Sequence, residues 1–132
     1  MSQHQATAPG IPKVTETLAD WVVTIRGSDI APDVRREGLR TFVNWAGCAV
    51  GGSHETVDRA LAAVTPFSGK PTSTVLGRHE KLDALHAALL NGITSHVLDY
   101  DDTHLKTIIH PAGPVASALL ALAEMRPISC YD

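Results

Sequence analysis

Residues 96–104 read HVLDYDDTH and lie between two apolar segments, AALL at residues 87–90 and VASALL at residues 115–120. Three carboxylates and two imidazoles fall within this segment, and His110 follows shortly after it. Apolar neighbours of this kind are typical of buried helices, and a charge beside an apolar core is costly unless it is paired or used in chemistry. Residues 96–104, which we call the acidic cluster, are therefore the first place to look for a functional site.

Helical spacing of apolar residues surrounds the acidic cluster. We expect a helix from about Lys81 toward Asp99, and only the run from Thr72 to Leu76 resembles a strand. The sequence therefore predicts an all-α protein with at most one short strand. The other predicted helices cover about residues 15–26, 32–50 and 53–64, and a last one runs from Pro111 or Pro114 to about Met125.

Small residues from Ala46 to Gly52 end the predicted second helix. Small side chains allow the backbone of another helix to approach closely, and the glycine pair at 51–52 favours a helix end. The glycine spacing matches neither nucleotide-binding fingerprint, so tight packing is the expected role of this segment.

Composition limits the class of protein. The 132 residues leave room for one domain, and 44% apolar against 19% charged residues is typical of a folded globular chain. A formal charge of −3 with scattered basic residues argues against nucleic acid as a partner. No apolar run is long enough to span a bilayer, so we expect no membrane partner. We expect residues 1–12 to be a disordered lead-in without targeting features and residues 13–132 to form the helical domain. Cys48 and Cys130 are the only cysteines, and we expect the protein to be cytoplasmic.

The spacing within the acidic cluster suggests acid–base chemistry. If the helix continued through Asp102, then Asp99, Asp102 and Thr103 would share one face, and Asp101 would point elsewhere. His96 precedes Asp99 by three positions and would reach it with a hydrogen bond. A carboxylate beside an imidazole fixes its tautomer and prepares it as a general acid or base. The alternative is a solvated helix end, although the helix dipole disfavours negative charge there.

His110 precedes a Pro-rich entrance to the last helix, Pro111-Ala112-Gly113-Pro114. A helix amino end offers free amides and a positive dipole, so a bound anion would lie beside His110. The alternative is a turn that only starts a helix. His54 and His86 are expected to be ordinary surface or packing residues.

The same residues raise the alternative of a metal site. An EF-hand loop does not fit, because the positions that need Gly and Glu hold His104 and His110. A transition metal held by His96, Asp99, Asp102 and His104 stays an open alternative, although this spacing matches no standard site.

Two segments together resemble the signature of a known family. The run from Asn91 to His104, NGITSHVLDYDDTH, followed by His110-Pro111, is similar to the motif of the MmgE/PrpD family. The segment Asn44 to Gly52, NWAGCAVGG, resembles that family's Asp-x-x-Gly-Cys-Ala-x-x-Gly segment, with Asn44 in place of the usual Asp. The likeness extends over nearly the whole chain, from about Thr15 to Pro127.

The resemblance implies a chemistry. Family members, which include 2-methylcitrate dehydratase, cis-aconitate decarboxylase and iminodisuccinate epimerase, have a large all-α domain and a smaller α+β domain and form homodimers. They move a proton at a carbon next to a carboxylate of a small polycarboxylate and use no metal or organic cofactor. Accordingly, we expect no cofactor and no metal here. By similarity, Asp99, Thr103 and His110 are expected to be catalytic, and Asp102, His104 and His96 to contact the substrate.

Family members are much longer than this chain. We therefore expect an N-terminal fragment of a lyase or epimerase that lacks the small domain, is inactive alone, and works as a homodimer at full length or with a complementing chain. The alternative is a non-catalytic helical remnant or interaction module. With part of the helical domain missing, apolar faces near Ala46 and Leu119 should be exposed and should drive self-association.

Overall fold

Helices make up most of the chain, as the sequence predicts. The computed structural model describes residues 13–126 and residue 128. Among the described residues, those from 13 to 31 and those from 32 onward belong to two compact units, each of which is described by itself. The elements are α1 (Val14–Thr24), α2 (Pro32–Gly51), α3 (Glu55–Val64), β1 (Ser73–Thr74), β2 (Lys81–Leu82), α4 (Ala84–His96) and α5 (Ala112–Met125), with 3-10 turns at Gly27–Asp29 and Thr65–Phe67.

The first unit consists of α1 and the 3-10 turn that follows it. None of the residues of α1 is buried. The side chain of Asp29 accepts a hydrogen bond from the backbone N–H of Arg26 at 3.0 Å and closes the turn. The predicted lead-in at residues 1–12 lies outside the described residues.

In the second unit, α2 begins at Pro32, where a proline fits because the first helical N–H needs no partner. It ends at Gly51. Gly52 then passes so close to the backbone of α4 that a Cβ at this position would collide with the carbonyl oxygen of Thr94. The small-residue segment thus allows the close approach that the sequence predicts.

Two short strands form a hairpin before α4. Ser73 pairs with Leu82 and Thr74 with Lys81, in antiparallel register. The first strand lies inside the predicted strand-like run, but its partner was not anticipated. The helix expected from Lys81 begins only at Ala84, because Lys81 and Leu82 are in the hairpin and Asp83 caps the helix by accepting from the N–H groups of Leu85 and His86.

The core has two parts, both built against α4 or α5. One cluster packs Val57, Val75 and Leu82 against Ala87 and Leu90 of α4. The other packs Trp45 of α2 against Ala112 and Ala116 of α5, and the indole N–H donates to Ser117 Oγ at 3.1 Å.

Asn91, the first residue of the family-like run, is fully buried and has a structural role. Its amide accepts from the N–H of Leu76 at 2.8 Å and donates to the carbonyl of Thr74 at 2.9 Å. It therefore joins the hairpin to α4. Within the part of the chain that the structure describes, no helix combines the length and apolarity needed to cross a membrane.

Candidate active site

The helix α4 ends at His96, before the acidic residues begin. The N–H groups of Val97 and Asp99 bond to the carbonyls of Thr94 and His96, which tightens the end of the helix. Asp99 then takes a left-handed backbone conformation with φ 54°. Asp tolerates this conformation better than most residues because its short polar side chain can bond locally.

This early helix end overturns one expectation. The prediction that Asp99, Asp102 and Thr103 share a helix face while Asp101 points elsewhere is wrong. The reversal at Asp99 turns the chain back on itself and sends Asp101 inward, where its side chain is only 1% exposed. The expected hydrogen bond from His96 goes to Asp101 in place of Asp99.

Asp101 lies between two imidazoles. Nδ1 of His96 is 3.1 Å from both carboxylate oxygens, and Nδ1 of His110 is 3.4 Å from Oδ1. The two rings also meet each other edge to face, with centroids 4.8 Å apart. A buried carboxylate is tolerated when it is paired in this way.

Thr103 and Asp99 complete the group. Oγ1 of Thr103 lies 3.4 Å from Nδ1 of His110, and its hydroxyl donates to the backbone carbonyl of Asp101 at 3.4 Å. One potential ligand atom from each of His96, Asp99, Asp101 and His110 lies within 4.8 Å of the others. The structure therefore brings Asp99, Thr103, His110 and His96 together around the carboxylate of Asp101, which the sequence predicts to point elsewhere.

Asp102 and His104 lie outside this group. Oδ1 of Asp102 accepts from the N–H of Ala112 at 3.1 Å and so serves the free amides at the start of α5. Nδ1 of His104 is 2.7 Å from the hydroxyl of Thr107, and its backbone N–H donates to the carbonyl of Ile109. Both residues shape the loop that carries His110.

That loop contains a strained position. Ile108 has φ 53°, a conformation that is unfavourable for a β-branched residue. Its N–H bonds to the carbonyl of His104, so the turn is fixed by hydrogen bonds on both sides of the strain. Strained backbone near a group of titratable side chains is typical of functional sites.

One residue of α2, Asn44, also bonds to the segment that follows α4. The side-chain amide of Asn44 donates to the carbonyl of Tyr100 at 3.1 Å. An Asp at this position, as in the family motif, would have no hydrogen to donate while ionised.

The comparisons with known proteins now bear on this geometry. A sequence model of the MmgE/PrpD N-terminal domain matches residues 16–130. The chain belongs to the MmgE/PrpD family. It is 31% identical over 117 residues to the cis-aconitate decarboxylase of Mus musculus, covering 86% of this chain and 24% of that protein. It is 31% identical over 119 residues to the Homo sapiens protein of the same name, covering 88% of this chain and 24% of that protein. It is 29% identical over 114 residues to a cis-aconitate decarboxylase-like protein of Aspergillus oryzae, covering 86% of this chain and 24% of that protein.

The chain spans about a quarter of the length of the curated relatives that it matches. Family membership follows at this level. The reaction and the substrate do not follow from it.

A groove of about 650 Å³ approaches the site between α4 and α5. Apart from His96, its walls are mainly apolar, and it is lined by Ala88, Leu89, Gly92, Ile93, His96, Val97 and Pro114.

Behind the site lies the free, buried thiol of Cys48. Its pKa is raised, first by burial and then by the negative charges of Asp101 and Asp102.

The donor set of two imidazoles and two carboxylates is able to bind a divalent transition ion. It differs from the set weighed on the sequence, since Asp101 and His110 replace Asp102 and His104. The family resemblance implies no metal.

Sequence reasoning missed Asp101, the most buried group of the site. Its signal was present: in the run DYDD, a carboxylate at alternate positions favours a turn as much as a helix, because Asp is a poor residue for a helix interior.

Proposed function

We propose that this chain supplies the helical-domain half of the active site of a lyase or epimerase that acts on a small polycarboxylate. The observation that carries the proposal is the convergence of His96, Asp101, Thr103 and His110, each of which lies within 3.4 Å of another member. Such a group suits proton transfer at a carbon next to a carboxylate.

His110 is the proposed proton-transfer residue. In a decarboxylation, the bond between carbon and carboxylate breaks, carbon dioxide leaves, and the electron pair left on carbon takes a proton from the His110 imidazolium. In a dehydration, the neutral ring removes a proton from carbon, the C–O bond on the neighbouring carbon breaks, and the hydroxyl leaves as water with a proton from a second acid. In an epimerisation, the neutral ring removes the proton from one face of the carbon and a second acid returns a proton to the other face. An imidazole changes protonation near neutral pH and is suited to either direction.

Thr103 and Asp99 are proposed to hold the substrate beside His110. The Thr103 hydroxyl lies beside the His110 ring, 3.4 Å from Nδ1, so a substrate oxygen that contacts Thr103 would also lie near this ring. The carboxylates at Asp99 and Asp101 repel an anionic substrate, so cations from the remainder of the enzyme, or from a partner copy, are needed to bind it.

A chimeric enzyme tests the proposal. Residues 16–130 of this chain would replace the matching segment of the mouse cis-aconitate decarboxylase, and turnover of cis-aconitate and 2-methylcitrate would be measured. We expect His110→Ala to lower kcat at least about 10²-fold, the usual contribution of a positioned acid or base. His104→Ala is the matched control, because it removes an imidazole from the same loop but outside the group, and its effect should be below about tenfold. A folded chimera that keeps its rate after His110→Ala would contradict the proposal.

A second candidate, a non-catalytic interaction module, is favoured by one observation. Large apolar side chains of α4 and α5 are exposed, among them Leu89, Val115 and Leu119. For the isolated chain this predicts self-association, which sedimentation would detect. A chimera without turnover of any polycarboxylate, combined with strong self-association, would favour this second candidate.

A further inference from the structure

The carboxylate of Asp101 has no role in the proposed proton transfer, yet it is the most buried part of the site. Its side chain is 1% exposed, whereas those of His96 and His110 are 58% and 26% exposed. The rings are reachable from outside, and the carboxylate behind them is not. Asp101 therefore does not contact a substrate directly, and the groups that it can position are the two imidazoles.

We propose that Asp101 is a positioning residue that holds both His96 and His110 as Nδ1–H tautomers, which leaves Nε2 of each ring as the nitrogen that exchanges protons with the substrate. An ionised carboxylate only accepts hydrogen bonds, so a ring nitrogen that faces it must carry the hydrogen. Nδ1 of His96 forms a hydrogen bond with Asp101 at 3.1 Å, and Nδ1 of His110 lies 3.4 Å from the same carboxylate. One carboxylate thus sets two tautomers at once.

Thr103 supports the same assignment at His110. Its single hydroxyl hydrogen is directed to the backbone carbonyl of Asp101, so its oxygen faces Nδ1 of His110 as an acceptor. Two acceptors therefore converge on one ring nitrogen. The tautomers do not depend on the proposed function, but their use in proton transfer rests on it.

Imidazole tautomers are measured directly by long-range ¹H–¹⁵N spectra of protein labelled with ¹⁵N-histidine, at alkaline pH where the rings are neutral. His96→Gln and His110→Gln variants assign the two signals. We expect both rings as Nδ1–H, the minority tautomer of free neutral histidine in water. The same label is readable in the chimera, so the measurement does not depend on the chain folding by itself. Either ring found as Nε2–H in the unmodified sequence would overturn the proposal.

Asp101→Asn then tests the cause. The carboxamide has nearly the same shape, but its oxygen serves only one ring while its NH₂ group faces the other. We expect one of the two rings to switch to Nε2–H, and kcat of the chimera to fall at least about tenfold with KM within about twofold. Unchanged tautomers in folded Asp101→Asn would overturn the proposal. If this variant does not fold, the tautomers of the unmodified protein still decide.

Asp102→Asn is the matched control, since it makes the same chemical change at the next residue. Its amide oxygen still accepts from Ala112, so the tautomers of both rings should stay unchanged. If the tautomers are as expected but His110→Ala does not slow the chimera, the proposed function fails and the role of Asp101 stands.

Discussion

Each end of α4 carries a carboxylate beside an imidazole. At the amino end, Asp83 lies 2.6 Å from Nδ1 of His86, and at the carboxyl end Asp101 lies 3.1 Å from Nδ1 of His96. The surroundings of the two carboxylates differ. Asp83 also accepts from the N–H of Gly69 at 2.7 Å, from the hydroxyl of Ser68 at 2.8 Å and from two amides of its own helix.

Asp101 has a different set of partners. Among the described residues, the two imidazoles are the hydrogen-bond and ion-pair partners of its side chain. A carboxylate saturated by backbone and hydroxyl donors fixes the chain, and its imidazole neighbour is one donor among several. A buried carboxylate that faces two imidazoles instead fixes the orientation of those rings. A carboxylate–imidazole pair is therefore informative only when its other partners are known.

The largest expected effect comes from breaking the carboxyl end of α4. Gly52→Ala places a Cβ against the carbonyl of Thr94, so the backbones of α2 and α4 must separate. We expect a loss of about 3 kcal/mol in the free energy of unfolding, measured by urea denaturation. Gly47→Ala is the control, because a Cβ there meets nothing within 4 Å. It should raise stability by about 0.5–1 kcal/mol, as alanine favours a helix over glycine. Equal effects of the two changes would contradict the close approach.

The next effect comes from the amino end. The pKa of Asp83 is held well below its ordinary value, first by His86 and then by Gly69 and Ser68. A lowered folded-state pKa means that the stabilising contribution is fully present above the ordinary value of 3.8 and declines as the pH falls below it. Asp83→Ala should therefore lower Tm by several degrees at neutral pH, and the difference from the unmodified chain should close in acid.

Thermal unfolding followed by circular dichroism over a pH series measures this difference. Asp20→Ala is the control, because Asp20 is exposed and lies inside α1 with an ordinary helical backbone. A Tm difference for Asp83→Ala that does not change with pH would assign the effect to lost packing rather than to the charge.

The smallest effect concerns the loop that carries His110. Ile108→Gly relieves the left-handed strain, worth about 1–2 kcal/mol, but adds the backbone entropy of glycine, about 0.5–1 kcal/mol. We expect a net gain of about 0.5–1 kcal/mol in the free energy of unfolding. Ile109→Gly, at a neighbouring position without positive φ, should be destabilising instead. A gain in stability accompanied by slower turnover of the chimera would tie the strain to the site.

The sequence predicted the helices well because their apolar spacing is a local property. The hairpin was only half anticipated, since strands of two residues carry almost no periodic signal and depend on contacts such as that of Asn91. The reversal at Asp99 was missed for a related reason. It is stabilised by Asn44, whose bond to Tyr100 joins residues 56 positions apart.

The residues of the family motif lie in one region of the structure, but the motif does not separate the contacts that each of them makes. Asp102 and His104 have the residue types of a site and the contacts of a loop, and only coordinates distinguish the two. Conversely, Asp101 became visible only once the helix was known to end at His96. The roles of Asp99, Thr103 and His110 stay predictions that the chimera tests.

The contacts that build the site are short in sequence, and this affects the order in which the chain assembles. His96 contacts Asp101 five positions away and Thr103 contacts His110 seven positions away. The bond between Trp45 and Ser117 joins residues that are 72 positions apart. By loop-closure entropy alone, closing a loop of 72 residues costs roughly 2 kcal/mol more than closing a loop of seven residues. The imidazoles and their carboxylate can therefore come together early in folding, before α2 docks on α5, and the slower long-range step then locks a loop that has already taken its shape.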